Sequence, residues 1–140
     1  MRAPGDDALG RASIRFYERF ADREEAVAAE VGLTPRQCHA IVSLGDAGPS
    51  RMKALAEIVG VTTGTMTVMA GRLERLGMIE RAEDPDDGRA VTLRLTAAGE
   101  SVREEHGRHH ADIAREIILA IGDRDAAALA RLLSKAAEAL

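Results

Sequence analysis

His106 and His110 stand one helical turn apart in Glu104-Glu105-His106-Gly107-Arg108-His109-His110, a spacing that lets two imidazoles grip one ion. Val102, His106, His109, Ile113 and Ile117 fall on one line of the same helix, so imidazoles interrupt a face whose other members call for burial. The plainer reading is a polar patch beside a surface shared by two copies. The single cysteine, Cys38, offers thiol chemistry but no internal disulfide. A second set of residues suits the edges of duplex DNA. Thr63, Gly64, Thr67, Val68, Gly71 and Arg72 share the outward face of one helical stretch, with Thr62 at its start. Threonine hydroxyls bond phosphates or base edges, Val68 suits a thymine methyl, and the glycines let a backbone come close. Two glycines cost a helix interior roughly 1 kcal/mol each, which implies that something approaches that face. Arg89, just past Asp86-Asp87-Gly88, could reach a minor groove with Asp87 orienting it, and Lys53, Arg72 and Arg75 suit phosphates. The bland alternative for Arg89 is a surface ion pair.

These groups need elements to hold them, and the sequence supplies a consistent set. From Asp6 to Val31 apolar residues recur at helical spacing, including Ile14, Tyr17, Phe20, Ala21 and Val27, and Gly32 ends the stretch. Thr34 caps a second helix with Pro35 at its first position, running to about Leu44, and Gly45 to Pro49 reads as a turn. A short helix from Lys53 to Val59 closes at Gly60. Another, capped by Thr62 or Thr63, reaches Leu76, with Met66, Met69, Ala70, Leu73 and Leu76 inward. Met78 to Arg81 and Val91 to Leu95 alternate around a charged Asp-Gly turn and form a two-stranded wing. Thr96 caps a long helix to about Ile121. A last helix carries a stripe of Leu129, Leu132, Leu133, Ala136 and Leu140. The expected fold is mainly α with a small β-wing: a winged helix-turn-helix lobe over residues 33–99, with dimerisation helices over 1–32 and 100–140. The end helices have stripes too long for one small lobe, which implies a homodimer.

Composition agrees. The chain has 140 residues, 46% hydrophobic and 2% aromatic, so its core is aliphatic and a β-sandwich is excluded. All three aromatic rings, Phe16, Tyr17 and Phe20, crowd the first helix as dimer core or as the lining of a ligand pocket. Without a signal sequence or a membrane-length apolar run the chain reads as cytoplasmic. Its net charge of −4 argues against nucleic acid until it is divided. Residues 33–99 hold eight basic and eight acidic groups, and the acid excess lies at the two ends. An enzyme is excluded by the lack of a Ser/His/Asp set, a Gly-rich phosphate loop or His-Glu-x-x-His. A winged helix that contacts only other proteins is a rival class.

The stretches LTPRQCHAIVSL, LAEIVGVTTGTMTVMAGRLERLGMIER and DPDDGRAVTLRLTAAG together resemble the MarR family of dimeric bacterial transcription regulators. The resemblance runs from Leu33 to Gly99 and is most specific at Asp87-Gly88-Arg89 with Leu95-Thr96. It implies a winged-helix homodimer on a pseudo-palindromic operator, most often as a repressor, with an effector site between the lobe and the dimerisation helices. Many relatives carry a basic residue where Val68 stands, so base preference does not transfer there.

The resemblance also bears on the histidines. The zinc-sensing branch of the family holds its metal with a histidine in the second helix and two histidines one turn apart after a Glu-Glu pair. His39, His106 and His110 match that pattern. Its carboxylate from the first helix falls on Ala21 here, which leaves Asp22 or Glu25 as substitutes, and the branch's second site is altered at Val27 and Cys38. The expected effector is zinc acting as corepressor. A small organic ligand, typically phenolic, near Phe16, Tyr17 and Phe20 and thiol oxidation at Cys38 stay open as alternatives.

Overall fold

The structure is a computed structural model that describes residues 4–140, with side chains from residue 7 onward. The first three residues of the expected 1–32 segment, and the Asp6 side chain at its helix start, lie outside the described residues. In chain order the elements are α1 (Pro4–Glu30), α2 (Pro35–Ala47), β1 (Ser50–Arg51), α3 (Met52–Val59), α4 (Thr63–Arg75), β2 (Ile79–Glu83), β3 (Val91–Leu95), α5 (Ala97–Ile121) and α6 (Asp123–Ala137). Two compact units divide the chain after Glu104, with α5 running from one into the other. Among the described residues no single helix is long and apolar enough to cross a membrane.

The first unit closes around an aliphatic core. Ile41 and Leu44 of α2, Leu55 of α3, Met66 and Leu73 of α4, and Leu93 of β3 are fully buried, with Ala28 of α1 and Val102 of α5 joining them. At about 25 cal/mol per Å² of apolar surface removed from water, such side chains supply the main drive for closure. Local signals set the helix ends. Thr34 and Gln37 make a reciprocal capping box: the Gln37 N–H donates to Thr34 Oγ1 at 3.3 Å, and the Thr34 N–H donates to Gln37 Oε1 at 2.9 Å.

Three expectations are corrected. Helix α2 continues through Gly45 to Ala47, because the residue with the left-handed φ of 78° that stops it is Gly48. Gly45 is instead a clearance: a Cβ there would strike the Arg103 stem and crowd Leu95. The wing belongs to a three-stranded antiparallel sheet in the order β1-β3-β2, since Ser50 pairs with Leu93 and Arg51 with Thr92. Two residues carry no readable alternation. Finally, Leu76 is 44% exposed rather than inward, because α4 ends at Arg75 and the chain turns through Gly77 (φ 73°). Met78 packs on the core instead, its N–H donating to Leu73 O at 2.9 Å.

The second unit holds the rest of α5 and α6. Helix α6 has no buried residue, and a cavity of about 410 Å³ opens along Ile117, Ile118, Ala126, Ala130 and Leu133.

Candidate nucleic-acid interface

The turn between α3 and α4 is built by Gly60, whose φ of 76° lets its N–H and that of Val61 donate to Ala56 O at 2.9 and 3.0 Å. Thr62 then caps α4, accepting from the Thr65 N–H at 3.1 Å and donating its own hydroxyl to Thr65 Oγ1 at 2.9 Å. Burial of Met66, Met69, Ala70 and Leu73 orients the helix. The opposite face therefore carries Thr63, Gly64, Thr67, Val68 and Arg72 into solvent, with Gly71 half-buried beside them.

That face is not made for its own fold. Val68 is 75% exposed, an apolar side chain that no described residue covers. A Cβ on Gly64 would meet only Thr62 Oγ1 at 4.0 Å, and one on Gly71 only Arg75 Nη1 at 3.6 Å. Alanine would fit at both places, so the helix-weakening glycines answer no packing need of the first unit. Thr67 donates its hydroxyl to Thr63 O at 2.8 Å, which leaves the oxygen's lone pairs as acceptors beside the Val68 methyls.

The wing is clasped at its base. Arg51 of β1 donates Nε–H to Asp84 Oδ2 at 2.7 Å, while Asp84 Oδ1 accepts the Asp86 N–H at 2.9 Å. Asp84 is buried, and its carboxyl is held below the ordinary range, first by the Asp86 N–H and then by Arg51. Asp87 Oδ1 accepts the Arg89 backbone N–H at 3.1 Å. This corrects the expected role of Asp87: it fixes the backbone at Arg89 rather than the guanidinium, which projects into solvent. Sequence reasoning missed Arg51 and Asp84, whose pairing spans 33 positions.

Charge within residues 33–99 is sorted. Arg51 pairs with Asp84, Arg81 with Glu74 at 3.1 Å, and Arg94 with Glu80 at 2.7 Å. Arg36, Lys53, Arg72, Arg75 and Arg89 make no ion pair among the described residues. Lys53, Arg72 and Arg75 are the cations expected to face phosphate, and Arg89 is the one expected in the minor groove. Arg36 is the addition, missed because a lone arginine in the first turn of a helix carries no spacing signal.

The histidines fall on two elements. His39 is exposed on α2; on α5 His106 and His109 are buried and His110 is exposed. The His106 and His110 rings lie 4.3 Å apart between centroids, as the one-turn spacing requires. Phe16 and Phe20 stack at 6.4 Å on α1, with Phe16 and Tyr17 largely exposed. Cys38 is buried, and burial, with Glu24 adding to it, pushes its thiol up to about 11.

Residues 33–91 match the MarR family model. The multiple antibiotic resistance protein MarR of Salmonella typhimurium is 32% identical over 104 residues, covering 74% of this chain and 72% of that protein. The chain belongs to the MarR family. Its other relatives include the HTH-type transcriptional regulator YcgE of Bacillus subtilis, 29% identical over 69% of this chain, and the repressor MdtR of the same organism, 35% identical over 53%. The matches span 66% of the length of YcgE and 48% of MdtR. Among solved structures, Streptococcus pneumoniae FabT in complex with DNA superposes with a TM-score of 0.83 at 24% identity, covering 94% of each chain. A probable transcriptional regulator from Pseudomonas aeruginosa is 32% identical with a TM-score of 0.65, covering 87% of this MarR-family chain and 95% of its own. These relatives are transcription regulators, not enzymes.

Proposed function

We propose that this MarR-family chain is a sequence-specific DNA-binding transcription regulator that acts as a homodimeric repressor on a pseudo-palindromic operator. The observation that carries the reading is the outward face of α4. It is small, hydroxyl-bearing and glycine-containing without any packing reason, it carries Arg72, and a notch that it shares with α2 adds Arg36. With α4 in the major groove, Thr63 and Thr67 meet base edges or phosphates, Val68 meets a thymine methyl, and Arg89 enters the adjacent minor groove. Two such helices read half-sites about one DNA turn, roughly 34–36 Å, apart. The DNA-bound state of FabT supports this use of the shared fold.

An effector shifts operator affinity by binding one state of the dimer better than another. Zinc is the reading favoured by a specific observation, the 4.3 Å approach of the His106 and His110 rings. Paired imidazoles suit zinc, and carboxylate completes such sites. The bound ion would supply a rigid tie at this turn of α5, raising operator affinity. Thiol sensing fits less well, since a buried Cys38 with its pKa raised to about 11 stays protonated at neutral pH.

One titration tests both levels. Anisotropy with a duplex from the chain's own upstream region should show tight, salt-sensitive binding that Arg89→Ala weakens at least tenfold. Added zinc should tighten binding and a chelator loosen it in the wild type, but not in His106→Ala, whose zinc content should fall. Equal binding to every duplex would sink operator recognition, and indifference to zinc and chelator would sink the metal.

A further inference from the structure

A notch of about 390 Å³ opens beside α4, lined by Arg36 and Gln37 from α2 and by Thr65, Val68, Met69 and Arg72 from α4. Its lining contains two guanidinium groups and no carboxylate. Neither arginine has an ion pair among the described residues, whereas Arg51, Arg81 and Arg94 of the same lobe are each matched to an acid. Two like charges lining one notch repel, and an anion between them would relieve that repulsion. The backbone at Arg36 is not free to swing aside. It sits between Thr34 and Gln37, whose reciprocal bonds close the first turn of α2, and Gln37 is itself buried.

We infer that Arg36 and Arg72 clamp one backbone phosphate of duplex DNA across this notch, making Arg36 a DNA-positioning residue of α2. The inference rests on the DNA-binding reading and adds a contact to it. A guanidinium offers a planar fork that matches phosphate oxygens, and two forks from different helices hold one phosphate from two sides. Duplex backbone is the occupant because the notch and the reading face share a wall: Val68 and Arg72 belong to both. When α4 lies in the major groove, the strand bordering that groove passes along this wall. The contact is blind to sequence, and it sets how far α4 enters the groove.

The test is duplex binding from about 50 to 200 mM salt with wild type, Arg36→Gln, Arg72→Gln, the double variant and Arg124→Gln, which removes an exposed charge from α6 as a control. The clamp predicts that Arg36→Gln weakens operator and unrelated duplex alike, by about threefold to tenfold, and lowers the salt slope by about one contact. The double variant should lose less than the product of the single losses, because both groups serve one phosphate. Scanning methylphosphonates along each operator strand should find one position per half-site that weakens the wild type strongly, Arg36→Gln and Arg72→Gln less, and the double variant not at all. An unchanged melting temperature for Arg36→Gln separates this from unfolding. The clamp is overturned if Arg36→Gln behaves like Arg124→Gln while Arg89→Ala loses binding. It is also overturned if Arg36→Gln abolishes binding of inorganic phosphate alone and leaves the DNA slope intact, which would make the notch a small-anion site. A wild type with no salt-dependent duplex binding would remove the DNA reading itself, and the clamp with it.

Discussion

Asp84 shows how one carboxylate organises a loop. It accepts the Asp86 N–H and the Arg51 guanidinium, and its backbone C=O accepts the Asp87 N–H at 3.3 Å, so it ties the base of the tip to β1 while Asp87 holds the backbone at Arg89. Its pKa is depressed below the ordinary 3.8. A depressed folded value means that the ionised form stabilises the wing above the unfolded pKa, and that the contribution is lost as pH falls through the lower folded value. Asp84→Asn should therefore speed amide hydrogen exchange at Asp86 and Arg89 at neutral pH, while Leu55 and Leu73 in the core stay protected. The variant's wing should also lack the acid transition expected of the parent as pH falls through the depressed Asp84 value. Equal exchange in the two proteins would deny the clasp. Arg89 was legible as a candidate because it follows a turn signal. The pair behind it was not, since neither Arg51 nor Asp84 has any local feature that marks the other.

Among the elements, the helices were legible and the small strand was not. Thr34, Thr62 and Thr96 announce helix starts, and Gly60 ends α3, because caps and left-handed turns depend on neighbours in sequence. Gly99 looks like any other helix glycine, yet a Cβ there would run into Met78 O, the atom that accepts the Thr96 N–H at 3.1 Å where β3 passes into α5. Gly71 has room around it. The two positions therefore predict opposite results. Gly99→Ala should destabilise the protein by about 1–3 kcal/mol through displaced backbone. Gly71→Ala should stabilise it by up to about 1 kcal/mol while weakening operator binding. Thermal melts beside binding titrations read both, and a Gly71→Ala protein with full DNA affinity would free that glycine from the interface.

At the scale of the whole molecule, the apolar surface left over is the argument for a second copy. Helix α6 has no fully buried residue in the protomer, Leu119 is 86% exposed, Leu132 and Leu133 are half-exposed, and Tyr17 and Ile14 project from α1. An amphipathic helix of that length gains its stability from packing its stripe, so these faces call for a partner. Sedimentation should find a dimer at micromolar concentration. Leu132→Glu should shift it toward monomer and weaken whole-operator binding far more than half-site binding. A monomeric wild type would reverse that expectation. The helices and strands of the lobe, the exposed apolar stripes of the end helices and the outward face of α4 were all readable in the sequence, since each is a periodicity of 3.6 or 2 within one segment. What the sequence by itself determined is thus the order of elements and the face each one turns outward. Only the tertiary structure decided which charges are neutralised: Arg51 against Asp84, Arg81 against Glu74, and Arg36 left bare beside Arg72. Ion pairing depends on distances of a few ångströms across elements, and sequence separation holds no record of those distances until the core closes and sets them.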